Sequence, residues 1–220
     1  MVWLVLAAVA ALVETIAVQK QIRKLELFAK PAVMVFLLLW LYASTGLRGN
    51  TLWFGLGILC SLIGDVLLLA LLDRMFLPGL AAFLLAHVFY LIGFGDELLH
   101  FTAWSFMLLF IIYLNGIRLL RRIVGSMRAG QQNALVFPVI VYGLVISLML
   151  FTAMSTIFNP DWKTNAAFFV SAGAFLFYLS DLILAWNKFV SPISNGPVLN
   201  IVTYYLGQIG LIAGVIVQYM

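Results

Sequence analysis

An all-α, polytopic membrane bundle of eight transmembrane helices is the fold class this sequence predicts, on three observations. Hydrophobic residues fill 65% of the 220 positions and charged ones 9%, with a mean hydropathy of +1.15; a chain of this kind shares its core with lipid. The apolar residues fall into eight runs of about 20, the length that crosses roughly 30 Å of hydrocarbon, with short polar breaks between them. None of the runs alternates polar and apolar residues as a membrane barrel strand does, so helices must satisfy the backbone. No linker interrupts the chain, and residues 1–220 read as a single domain.

The first helix is expected over 2–18, where the absence of a preceding basic segment marks a retained span and not a cleaved signal peptide. The second, over 30–47, opens at Lys30–Pro31, a proline-led helix start with a lysine anchored at the interface. The third, over 51–72, carries "SLIGD", and the fourth, over 77–96, carries "FLLAHVFY". The fifth spans 102–120 and the sixth 134–156, with Pro138 near the start of the sixth. The seventh, over 165–187, holds "FLFYLSDLILAW", and the eighth runs over 197–218. Helices in lipid are apolar all round, so periodicity does not sharpen these ends.

Orientation follows from Lys and Arg. The breaks after helices one, three, five and seven hold Lys20, Arg23, Lys24, Lys30, Arg74, Arg118, Arg121, Arg122, Arg128 and Lys188, leaving Arg48 and Lys163 for the other side. The positive-inside bias puts both termini outside and those four breaks in the cytoplasm. The same distribution explains the net charge of +4 as membrane topology, with no nucleic-acid partner implied. Anionic head groups could also meet these breaks. The lone Cys60 lies in an apolar run, which excludes a disulfide framework and a cysteine metal cluster. The chain is expected in a bacterial inner membrane or an endomembrane, and no pattern sets its oligomeric state.

Topology assigns depth to the buried polar residues. Asp181 lies seven residues before Lys188, about 10 Å inside the cytoplasmic end, and Asp65 lies eight before Asp73, about 12 Å in. Glu14 lies six before Lys20, Asn200 and Tyr204 fall in the same third, and His87 and Gln208 sit nearer mid-membrane. Helical spacing aligns Gly57, Ser61 and Asp65 on helix three, His87 and Tyr90 on helix four, and Asn200, Tyr204 and Gln208 on helix eight. Phe177 and Asp181 share a face of helix seven beside Tyr178. Polar stripes turn toward one another and away from lipid, which predicts a polar pocket opening toward the cytoplasmic leaflet. Asp65 and Asp181 should face it together, touching directly or through one water. Glu14 reads equally as a pocket residue or as a side chain snorkelling to the interface.

Two carboxylates in such a pocket suit acid–base chemistry, because burial and mutual repulsion leave a protonated acid beside an ionised partner. With only His87 and His100, the latter in a break on the opposite face, a three-histidine zinc site cannot be assembled, and no metal is expected. No Gly-rich phosphate loop or "GxSxG" turn is present, so neither a cofactor nor a serine triad is expected. Acid–base hydrolysis remains. A proton-coupled lipid or small-solute transporter relaying protons through Asp65, His87 and Asp181 is the alternative, and a scaffold whose carboxylates merely pair helices is a third. Two short similar segments, "GDVLLLA" and "SDLILA" on helices three and seven, hint at a four-plus-four internal repeat.

The strings "KP" at Lys30–Pro31, "SLIGD" ending at Asp65, "HVFY" from His87, "GAFLFYLSDLILA" from Gly173 and "YYLGQ" ending at Gln208 together resemble the YhhN-like lysoplasmalogenase family, in order and over nearly the whole chain. The resemblance implies an eight-helix membrane enzyme that hydrolyses the vinyl ether bond of a lysoplasmalogen, a lysophospholipid taken from the bilayer, releasing a fatty aldehyde and a glycerophospho-base. On that reading Asp65 and Asp181 are the catalytic acid and base, in an order left open. His87, Tyr204 and Gln208 orient water or polar substrate groups, and Lys30 meets the phosphate at the interface. Ser61, Tyr90, Tyr178 and Asn200 complete the substrate-binding set, and the fatty chain runs between helices.

Overall fold

The computed structural model describes residues 1–70, 75–95 and 102–220. Among them eight α-helices follow one another: α1 (Val2–Gln19), α2 (Arg23–Thr45), α3 (Thr51–Ala70), α4 (Phe76–Phe94), α5 (Ala103–Ala129), α6 (Asn133–Ser155), α7 (Thr164–Phe189) and α8 (Gly196–Tyr219). Each is long and apolar enough to cross a membrane; the chain is a multi-pass, all-α membrane protein. Asp73, Arg74 and His100, used above for depth and orientation, lie outside the described residues.

Two helix ends differ from expectation, for one reason. α2 begins at Arg23, seven residues before the expected start, with Arg23, Lys24 and Glu26 in its opening turns. α5 continues to Ala129, nine residues past its expected end, carrying Arg118, Arg121, Arg122 and Arg128 on helix. Charges lower the hydropathy of a segment, but its backbone still gains from pairing internally as it leaves the hydrocarbon, so the helix outlasts the apolar run. Pro31 is therefore inside α2, a second interior proline beside Pro138 of α6. Lys30 sits two turns into a helix and not at its start.

Association in lipid has little hydrophobic drive and rests on close packing of small residues. α7 and α8 make the most extensive helix pair. Gly173 of α7 lies directly against the backbone of α8 at Leu211, where an added Cβ would collide, and Gly207 and Gly214 of α8 lie as closely against the backbone of α7. In the α3–α4 pair the small residues admit rings: Gly57 lies under Tyr90 and Gly64 under Phe83, while Gly93 of α4 receives Phe54 of α3. The helix-three stripe expected from spacing is thus a packing surface over its first turns. Met34, Leu37, Phe54, Tyr90, Phe177 and Leu211 are fully buried at the centre. α5 is the least embedded helix; it buries only Ser105, Ile123 and Met127 and leans on α6 and α7.

Candidate active site

Asp65 sits near the end of α3 with 1% of its surface exposed. Lys30 Nζ lies 3.3 Å from its Oδ1, and the Tyr204 hydroxyl donates to its Oδ2 at 2.9 Å. A lysine two turns inside a membrane helix must either snorkel outward or find a counter-ion. Lys30 finds Asp65. Lys30, expected to meet phosphate at the interface, is carried inward by the α2 extension, where its side chain is 15% exposed and paired with Asp65; it lines a cavity shared with Arg23.

Asp181, in α7, forms the second cluster. The Tyr142 hydroxyl, from α6, donates to its Oδ2 at 2.5 Å. His87 Nε2, from α4, lies 3.2 Å from the same oxygen and 3.0 Å from the Tyr142 oxygen. His87 is fully buried and its Nδ1 has no partner, so the network assigns the ring proton to Nε2, where it can be donated. Tyr142 escaped the sequence reading, because one tyrosine in an apolar run has no spacing to flag it. Depth could have found it: nine residues past the start of α6 at Asn133 is about 14 Å into the bundle, close to the level of Asp181.

Both carboxylates line one cavity of about 590 Å³ at the basic end of the bundle, with Lys30, Ser180, Asn200 and Tyr204 in its wall and Gln21, Arg23, Glu26, Asn187 and Lys188 toward its mouth. They share that space as expected, but they are not hydrogen-bonded to one another; each is held by its own partners. Aromatic rings separate the two clusters. Phe177 packs 4.7 Å from the His87 ring and 5.3 Å from the Tyr204 ring, centre to centre, and Phe83 closes edge-on against both Phe177 and Tyr204.

The remaining expected site residues divide. Tyr204 and Asn200 line the cavity, and Asn200 also clasps α7 through Ser180, donating to its carbonyl at 2.8 Å. Ser61, Tyr90 and Gln208 do not line it. Tyr90 donates to Gln208 Oε1 at 2.9 Å and Gln208 Nε2 donates to Ser61 at 3.1 Å, a buried chain tying α4, α8 and α3 and leaving little for a substrate. These three, expected to bind substrate, clamp helices together here, as the cost of an unsatisfied polar group in lipid requires. Tyr178 lines a different, apolar cleft that reaches Asp181 from the α5 side. Glu14 does not snorkel: it is fully buried on α1 and neither carboxyl oxygen has a partner.

The suspected repeat has a counterpart in these contacts. Asp65 of α3 is engaged from α2 and α8; Asp181 of α7 is engaged from α6 and α4. Exchanging the first four helices for the last four converts one set of partner helices into the other, while the side chains differ. An ammonium and a phenol face Asp65 where a phenol and an imidazole face Asp181.

The model of the YhhN family matches residues 25–215. Among curated proteins, the chain is 30% identical over 171 residues to "Lysoplasmalogenase TMEM86B" of Homo sapiens, covering 78% of this chain and 66% of that one. It is 30% identical over 195 residues to the Mus musculus protein of the same name, covering 83% and 71%, and 30% identical over 155 residues to "Lysoplasmalogenase TMEM86A" of Homo sapiens, covering 69% and 60%. The chain thus spans about two thirds of the length of these relatives. No solved structure matches it.

Proposed function

The chain belongs to the YhhN family, and from that membership we propose that it is a membrane-embedded lysoplasmalogenase, cleaving the vinyl ether bond of a lysoplasmalogen to a fatty aldehyde and a glycerophospho-base. The names of its relatives support the activity. The observation that carries the mechanism is the pair of carboxylates, Asp65 and Asp181, on one cavity but in unlike electrostatic settings.

Vinyl ether hydrolysis begins with transfer of a proton to the vinyl carbon remote from oxygen. The double-bond electrons form the new C–H bond, and the ether oxygen shares the positive charge left on its neighbouring carbon. Water adds to that carbon and loses a proton, giving a hemiacetal. The hemiacetal then breaks its bond to the glycerol oxygen, which leaves protonated, and the aldehyde forms. One water is consumed, and the proton borrowed at the start is returned.

Asp181 delivers the first proton. Its Oδ2 takes both Tyr142 and His87, and among the described residues no group hydrogen-bonds Oδ1, so that oxygen is available to the substrate. Tyr142 and His87 are positioning residues that fix the carboxyl group and exchange protons with it. Asp65 is the anionic partner. The Lys30 ammonium stabilises its charge and Tyr204 fixes its orientation, so that it faces the oxocarbenium ion and accepts the proton from the attacking water. At the mouth, Arg23 and Lys188 suit the phosphate and Glu26 an amine on the head group. Purified protein in detergent should release aldehyde from lysoplasmalogen, while the saturated alkyl ether analogue, having no double bond to protonate, should compete and remain intact. Absence of aldehyde from the vinyl ether would sink the assignment.

A further inference from the structure

We propose that the apolar cleft between α5, α6 and α7 is the site that takes the single hydrocarbon chain of a lysolipid, entered sideways from the bilayer, with Gly116 and Gly143 setting the length of chain accepted. The proposal rests on the lysolipid reading given above and adds to it a binding site and a selectivity.

The cleft has a volume of about 230 Å³ and is walled mainly by aliphatic side chains of the three helices. Away from the Asp181 carboxyl its polar groups are engaged: the Ser147 hydroxyl donates to the Gly143 carbonyl at 2.7 Å, Tyr178 interacts with Ser147, and the Tyr142 hydroxyl donates to Asp181 Oδ2. An apolar occupant lying beyond Asp181 therefore leaves none of these three unsatisfied. The volume lies below the roughly 300 Å³ at which pockets for drug-sized ligands begin, too little for two chains side by side.

Continuity names the occupant. Of the described residues lining the polar cavity, Asp181 alone also lines the cleft. A molecule that occupies both spaces is polar at the Lys30 and Arg23 end, apolar at the α5 end, and bends past Asp181 between the two. In a lysolipid with a vinyl ether, the reactive double bond is that junction, because it joins head group to chain. The outer wall is α5, which buries three residues and turns Phe106 and Phe110 outward, so the cleft adjoins bulk lipid and a chain reaches it without crossing the basic end.

Two glycines leave room along the cleft. A Cβ at Gly143 would meet Leu120 at 3.5 Å, and one at Gly116 would meet Ser147 and Tyr178 at 3.7 and 3.8 Å. These are ordinary van der Waals separations, so Gly143→Leu and Gly116→Leu fit the backbone while their remaining atoms fill the space a chain would use.

The test uses an uncleavable saturated-ether lysolipid with a photoreactive group at the chain terminus, together with a long-chain and a short-chain vinyl ether lysolipid of one head group. In the purified full-length protein the probe should label segments 112–123 and 139–147, and Gly143→Leu should cut that labelling about tenfold. The same variant should lower the long-to-short ratio of kcat/KM about tenfold, the scale on which a pocket responds to a few methylenes. Gly116→Leu is the second variant should the first fail to fold, and the wild-type labelling pattern decides if both do. Labelling on other segments, labelling indifferent to both variants, or displacement by a two-chain phospholipid as readily as by unlabelled lysolipid would overturn the cleft as a chain site. If the wild type cleaves neither vinyl ether, the lysoplasmalogenase reading fails, and the labelling still decides the cleft.

Discussion

Asp181→Asn should lower aldehyde release from lysoplasmalogen by roughly a thousandfold, within the range over which a positioned proton donor accelerates a reaction, and should leave the thermal transition nearly where it was. The amide keeps the size of the carboxyl group and still offers an oxygen to the Tyr142 hydroxyl, which now stands 2.5 Å from Oδ2. It cannot give its proton to carbon. Tyr142→Phe goes part of the way, about tenfold to a hundredfold in kcat, the worth of one hydrogen bond to a charged group. A transporter would lose proton coupling in Asp181→Asn without ever having made a product, and a scaffold would lose stability without activity. Turnover of Asp181→Asn equal to wild type would remove Asp181 from the chemistry.

The largest stability effect belongs to the other cluster. Lys30→Met leaves Asp65, 1% exposed, in the membrane with Tyr204 as its remaining partner. Breaking a buried pair from one side costs about 3–5 kcal/mol, a fall in Tm on the order of 10 °C for a chain of this size. Asp65→Asn strands the ammonium in the same way and falls comparably, besides losing turnover. The double variant Lys30→Met/Asp65→Asn should recover most of the loss, since replacing both charges removes the penalty that either single change creates. Additive losses in the double variant would mean that the 3.3 Å approach of Lys30 to Asp65 does not stabilise the fold.

Hydropathy alone made the helices legible, because lipid imposes one backbone solution and one minimum length. What it concealed lay at the margins: Arg23 and Lys24 read as a break although α2 begins there, and that shift moved Lys30 from the interface to Asp65. Within the site, depth brought Asp65, Asp181 and Tyr204 to one cavity, since charge in a membrane is costly enough to be informative wherever it occurs. The same cost drew attention to Ser61, Tyr90 and Gln208, which are buried polar residues that satisfy one another. Sequence shows that such groups need partners, and only packing shows whether the partner is protein or substrate. Tyr142 is the converse case, a partner whose type is common in membrane helices and whose meaning appears when α6 is laid against α7. The split in character between the two carboxylates was likewise hidden, for it depends on which residues α2 and α6 present to them.

Where the proton and the water oxygen end up is the most direct measure of the chemistry proposed for this cavity. The purified protein, given lysoplasmalogen in heavy water enriched in heavy oxygen, with the aldehyde trapped as it forms, should yield aldehyde bearing one deuterium on the carbon next to the carbonyl. The glycerol hydroxyl it leaves behind should carry ordinary oxygen. Aldehyde without carbon-bound deuterium, or heavy oxygen in the glycerol hydroxyl, would contradict protonation of the double bond by Asp181 and the capture of water that follows.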